Sequence, residues 1–168
     1  MEIHPRTKTL ATELLTRLEG CETTAYLDPV GVPTICTGLT RYPNGEPVRL
    51  EDVCHEDICG KYTEQLVAEK IIPALRRIPG WSDFGAIRQS VLISFAWNMG
   101  ANFYESTGFE EISNVLKQGF NQPELYDDVP DILNLYVFDR EKRLAGLEKR
   151  REIEGEEWKK ESIGYLKL

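Results

Sequence analysis

The sequence predicts an α+β fold, mainly helical, in which a small β-containing segment near the N-terminus precedes a larger helical remainder. Three observations predict it. Apolar residues recur at helical spacing through most of the 168-residue chain. After the first such stripe, TAYLD and then PVGVPTICTG read as short extended runs divided by the turn signals Pro29, Gly31 and Pro33. The segment 84–99 is apolar almost all round, with Ile87, Val91, Leu92, Phe95, Ala96 and Met99, which marks a buried central helix. At 19.2 kDa and 41% hydrophobic residues, the chain can bury one sizeable core without disulfides or metals, so a single unit spanning 1–168 is expected.

Each element has its own local reason. Pro5 suits a first helical turn, Leu10, Leu14, Leu15 and Leu18 form an apolar stripe, and Gly20 supplies the stop. A small hairpin or three-stranded sheet follows, with Thr34, Cys36 and Gly38 expected on one strand face by the two-residue alternation. Beyond the loop RYPNGEP (41–47), Ile58, Tyr62, Leu66, Ile71, Leu75 and Ile78 indicate a long helix, which Pro73 should bend or restart. Further helices are expected near 108–118, 123–137 and 144–160. No repeat or low-complexity segment interrupts them.

The stretch RLEGCETTAYLDPVGVPTICTG carries the chemistry. Glycosidic cleavage asks for one carboxylic acid that protonates the leaving oxygen and one carboxylate that activates water on the opposite face of the sugar. Glu19 closes the first helix, where the negative end of the helix dipole and partial burial favour a neutral carboxyl. Asp28, at a strand end, is expected to be hydrated and ionised. Thr34 would offer its hydroxyl to the same water. Different environments for the two acids are what an acid and base pair requires.

Glu at the end of a first helix, Asp nine residues on, Thr six beyond that and a TI-x-x-G strand resemble the phage-type lysozymes (endolysins) of glycoside hydrolase family 24. QSVLISFAWNMGANFYEST resembles that family's buried helix, and LAGLEKRREIEGEEW its closing Gly-Leu-x-x-Arg-Arg-x-x-Glu helix. The matches fall in family order over residues 10 to 158. The resemblance implies a two-lobed lysozyme-like fold, with 20–60 as the small lobe, 1–19 and 75–168 as the helical lobe and 55–79 as a connecting helix whose bend permits hinge opening. It makes Glu19 the proton donor, Asp28 the residue that positions or activates water and Thr34 its partner. The implied reaction is hydrolysis of the β-1,4 bond between N-acetylmuramic acid and N-acetylglucosamine in peptidoglycan, with no metal or organic cofactor. An inverting enzyme of this kind needs its carboxyls roughly 6.5–9.5 Å apart.

The sequence departs from the pattern in places. Gly38-Leu39-Thr40 stands where many relatives carry Gly-His, Cys36 where they often place a glycine, and NLYVFDREKR where a Trp and Gly-Gly sequence is common. Two alternatives stay open: a lytic transglycosylase, for which Asp28 and Thr34 would be dispensable, and a silent peptidoglycan-binding module.

The formal charge of −8 argues against nucleic acid as a partner. Arg76-Arg77 and Lys149-Arg150-Arg151 sit among acids and read as solvated helix faces in preference to a glycan-binding patch. A sharper reading has Arg150 or Arg151 pair with Glu19. For Trp97 and Asn98, core packing with a satisfied amide is preferred over sugar contact. Cys21, Cys36, Cys54 and Cys59 allow three pairings, with reduced thiols the default in cytoplasm and bridges permitted by export to an oxidising space. Cys21 and Cys36 each stand two residues from a candidate acid or hydroxyl, so a redox-sensitive site is a second reading beside small buried side chains. Cys54-His55 with Cys59 lacks a second paired set at finger-like spacing and argues only weakly for zinc. No run approaches the 18 or so apolar residues of a membrane span, and MEIHPRTKT has no signal-like apolar core. The expectation is a monomer made in the host cytoplasm without stable membrane insertion, released to the wall by a separate pore-forming (holin) protein.

Overall fold

The computed structural model describes residues 3–161. Helix α1 spans Thr7–Glu19 and buries Ala11, Leu14 and Leu15. It ends at Gly20, whose φ of 75° and ψ of −175° lie in a region that only glycine occupies without strain, and whose N–H donates to the Thr16 carbonyl.

Strands β1 (Glu22–Leu27) and β2 (Pro33–Cys36) form an antiparallel pair in which Tyr26 faces Thr34 and Leu27 faces Pro33. A register shift between Glu22 and Tyr26 places Glu22 opposite Cys36. An isolated bridge from Thr24 to Val53 extends this two-stranded sheet in place of a regular third strand, and another joins Arg41 to Pro47 in the loop beyond. The expected shared face of Thr34, Cys36 and Gly38 is not formed. Strand β2 ends at Cys36, where φ turns to 57°, and Thr34, Ile35, Cys36 and Thr37 are all buried while Gly38 is exposed. Cys36 thus holds the left-handed conformation that suits a glycine, and its side chain forms a disulfide with Cys59.

Helix α2 (Glu56–Leu66) opens with Glu56 and Asp57, which complement the positive end of its dipole. The long helix does not continue unbroken. A π-helical turn, Val67–Ile71, precedes α3 (Ile72–Leu75), in which Pro73 lies in the first turn. Proline lacks an N–H and its ring crowds the carbonyl one turn back, so the restart falls where the sequence placed it.

Helix α4 (Ala86–Met99) is buried continuously from Arg88 to Ala96 and packs against α1 and against α7 (Ala145–Lys159). Its first turn is closed by Glu161, whose carboxylate accepts from the N–H groups of Gly85, Ile87 and Arg88 at 2.6, 3.0 and 3.0 Å. Helix α5 covers Glu110–Gly119. The single helix expected over 123–137 is replaced by a 3-10 turn, Pro123–Asp128, and a short α6, Val129–Leu133. Pro123 and Pro130 each sit in a first turn, so the backbone starts twice. Next comes a hairpin the sequence did not announce, β3 (Phe138–Asp139) with β4 (Lys142–Arg143).

Two apolar clusters result. The larger gathers Leu15, Leu75, Val91, Leu92, Phe95, Phe103, Ile112, Leu116 and Trp158 among others. The smaller holds Ala25, Ile35, Cys36, Leu39, Val48 and Cys59. Half-buried Trp97 touches both, which places it at the junction of the helical lobe and the small lobe. No helix among the described residues is long and apolar enough to cross a membrane.

Candidate active site

The site starts from the last residue of α1. Glu19 keeps its side chain 26% exposed, and its Oε1 accepts from a guanidinium nitrogen of Arg150 in α7. Its partner is therefore a cation. Arg150 is held in turn by buried groups: its Nε donates to Glu154 at 3.1 Å, and one terminal nitrogen donates to the Ser94 carbonyl at 2.9 Å and to the Ser94 hydroxyl at 3.2 Å. Ser94 Oγ donates to the same Glu154 oxygen at 2.6 Å.

The other oxygen of Glu154 accepts from Arg151, which also donates to Asn98 Oδ1 and, at 3.1 Å, to the Tyr136 carbonyl. Arg151 and Glu154 are fully buried. Burial presses the Arg151 guanidinium below its ordinary value, and the adjacent Glu154 carboxylate acts in the opposite direction. Glu154 is shared by Arg150 and Arg151, and Arg150 reaches on to Glu19, so each buried charged group has a hydrogen-bonded partner of the opposite type.

This corrects the reading of Lys149-Arg150-Arg151 as a solvated face. Only Lys149 is exposed; the two arginines point inward, and the sharper expectation of a pair between Glu19 and Arg150 is what forms. Arg76 and Arg77 are exposed, as expected. Asn98 has its amide oxygen satisfied by Arg151, but it is exposed near the end of α4, so the expected core packing does not hold for it.

Asp28 follows β1 directly and lies at the hairpin turn. Its Oδ1 accepts from the N–H groups of Val30 at 2.9 Å and Val32 at 2.8 Å, while its own N–H donates to the Val32 carbonyl at 3.0 Å. The side chain thus fastens the turn that carries it, a common use of aspartate. Thr34 is buried at 3% exposure, and its hydroxyl donates to the Val32 carbonyl at 2.9 Å. Both side chains converge on Val32.

The remaining small-lobe chemistry belongs to cysteine. Of the three pairings left open by the sequence, the bridge that forms is Cys36–Cys59, which replaces the default of reduced thiols; Cys21 and Cys54 are free and half-buried. Burial, and then the nearby Glu56 carboxylate, push the Cys21 thiol up. A groove of about 320 Å³ separates Gly38–Arg41 from Lys70, Ile71, Trp97 and Ala101. A larger cavity, about 660 Å³, opens elsewhere among Phe84, Phe120, Tyr126 and Glu161. Glu19, Asp28 and Thr34 line neither.

Residues 16–154 match the phage lysozyme family. A curated relative, the SAR-endolysin of Pseudomonas phage phiKMV, is 33% identical over 101 residues, an alignment covering 59% of this chain and 58% of that protein. Among solved structures, the active form of the P1 phage endolysin Lyz superposes with a TM-score of 0.70 at 22% identity, covering 91% of this chain and 84% of that one. A P22 lysozyme variant does so with a TM-score of 0.68 at 20% identity, covering 94% and 98%.

Proposed function

Because the chain belongs to the phage lysozyme family, we propose that it is an endolysin that hydrolyses the β-1,4 bond between N-acetylmuramic acid and N-acetylglucosamine in bacterial peptidoglycan. Glu19 is the general acid. The Arg150 guanidinium engages Oε1 and fixes the direction of the carboxyl, which leaves Oε2 to present a proton to the glycosidic oxygen. Asp28 holds and activates the water that attacks the anomeric carbon. Oδ1 is committed to the turn, so Oδ2 faces that task. Thr34 donates to Val32 and retains lone pairs that accept a hydrogen bond from the same water.

The observation that carries this reading is the anchoring of Glu19: a carboxyl at a helix end, partly open to solvent, tied through Arg150 to the buried Glu154 and Arg151. An ordinary surface acid does not receive such support. The experiment compares wild type with Glu19→Gln in clearing suspensions of permeabilised Gram-negative cells. The expected loss is about 10²–10⁴-fold with an unchanged melting temperature. A Gln variant with wild-type turnover refutes the role. Products with a new reducing end mark a hydrolase, whereas an anhydro sugar would reassign the chain as a transglycosylase.

The peptidoglycan target lies outside the cytoplasmic membrane, and a separate pore-forming protein of the holin type brings the enzyme to it. Expression of this chain alone therefore leaves cells intact, and lysis without a permeabilising partner overturns that part of the proposal.

A further inference from the structure

Three of the four cysteines meet in the small lobe. The sulfurs of Cys36, Cys54 and Cys59 all lie within 4.8 Å of one another. They come from the end of β2, the residue before the N-cap of α2, and the first turn of α2, and the Cα atoms of Cys36 and Cys59 are 5.2 Å apart. Cys36 and Cys59 are 1% exposed and Cys54 is half-buried, so two ligands sit in an apolar wall of Ile35, Leu39 and Val48 while the third edges toward solvent.

We propose that, once the Cys36–Cys59 bridge is reduced, these three thiols form a binding site for a soft d10 cation of the zinc class. Two metal–sulfur bonds of about 2.3 Å put sulfurs about 3.8 Å apart in tetrahedral geometry, so once the bridge is cut the Cys36 and Cys59 sulfurs must part to about that distance while Cys54 closes by at most about 1 Å. Water on the Cys54 side completes the coordination. The steps balance: a thiol reductant supplies two electrons and two protons to the Cys36–Cys59 bridge and leaves as its own disulfide, and the entering cation then displaces the three thiol protons. Bridge and cation exclude each other, because both need the Cys36 and Cys59 sulfurs. Each closes the same junction between β2 and α2, so the lobe that carries Asp28 and Thr34 keeps a covalent or coordinate staple in oxidising and reducing surroundings alike.

The test uses the full chain, reduced without air and titrated with Co²⁺ and then Zn²⁺. One equivalent of cobalt should bind per chain with thiolate-to-metal charge-transfer absorption, and zinc should displace it. The oxidised chain should show no such band. Cys54→Ser, which leaves the bridge partners in place, should weaken zinc binding by at least about tenfold, whereas Cys21→Ser should leave it unchanged. Reduced wild type without the band overturns the proposal, as does a Cys54→Ser chain that binds zinc as tightly as wild type. Equal losses in Cys21→Ser and Cys54→Ser would show capture by an unfolded chain and overturn it too.

Discussion

In the helical lobe, α4 shares one core with Leu15, Leu75, Ile112, Leu116 and Trp158, whereas the small lobe encloses little beyond Ala25, Ile35, Leu39 and Val48 around the Cys36–Cys59 bridge. Burial of a large aliphatic or aromatic side chain contributes about 1.5–3 kcal/mol, so the first lobe has ample apolar surface to offset chain entropy and the second has little. The small lobe relies on local devices instead: a disulfide, the Asp28 and Thr34 bonds around Val32, and a bond of 2.7 Å from Tyr42 to Asp52. The difference teaches where each half of the proposed machinery draws its rigidity. Glu19 is aimed by a packed core through Arg150, and Asp28 is aimed by its own turn.

The comparison breaks most severely if the ionic part of the helical core is removed. Glu154→Ala leaves Arg150 and Arg151 buried without their shared carboxylate and should cost about 3–5 kcal/mol in urea unfolding. A loss under about 1 kcal/mol would mean that the network is solvated and that Glu19 is not aimed by the core. Reduction of Cys36–Cys59 without metal is the next largest effect. Its sequence separation of 23 predicts about 3 kcal/mol from chain entropy, confined to the small lobe. Hydrogen exchange should speed at Ile35 and Leu39 and stay slow at Leu92 and Ile93; equal acceleration in both places would make the lobes a single cooperative unit.

The smallest effect sharpens the comparison through pH. The Arg49 N–H, and then the Tyr42 hydroxyl, hold the Asp52 carboxyl below its ordinary 3.8. A carboxyl lowered in the folded state stabilises the fold above its ordinary value, and that contribution is lost as pH falls through the lowered one. Asp52→Asn should therefore be slightly less stable than wild type at neutral pH, with the gap closing in acid. A gap that widens in acid would reverse the sign.

Much of this was legible in the sequence where the cause is local. The leucine stripe and Gly20 locate the end of α1, the all-round apolar run locates α4, and Asp28-Pro29 with Gly31 locates the hairpin turn. The helix expected over 123–137 failed because the prolines at 123 and 130 were outweighed by apolar periodicity, although each restarts the backbone. The expected strand face through Gly38 failed because two-residue alternation assumes an extended backbone, and Cys36 leaves it. No local signal could show that Arg150 and Arg151 turn inward: like Lys149, they sit on a helix rich in acids.

By itself the sequence determined most of the helices and the first hairpin, their order, the family and the short segment that holds Glu19, Asp28 and Thr34. These follow from contacts within a few residues, where the helical period, the strand period and turn chemistry act. The tertiary structure alone decided which cysteines pair, which guanidinium meets Glu19 and what Thr34 bonds. Residues 19 and 150 are brought together only when α1 and α7 both pack on α4, and that encounter depends on the volume and shape of a core to which distant parts of the chain contribute.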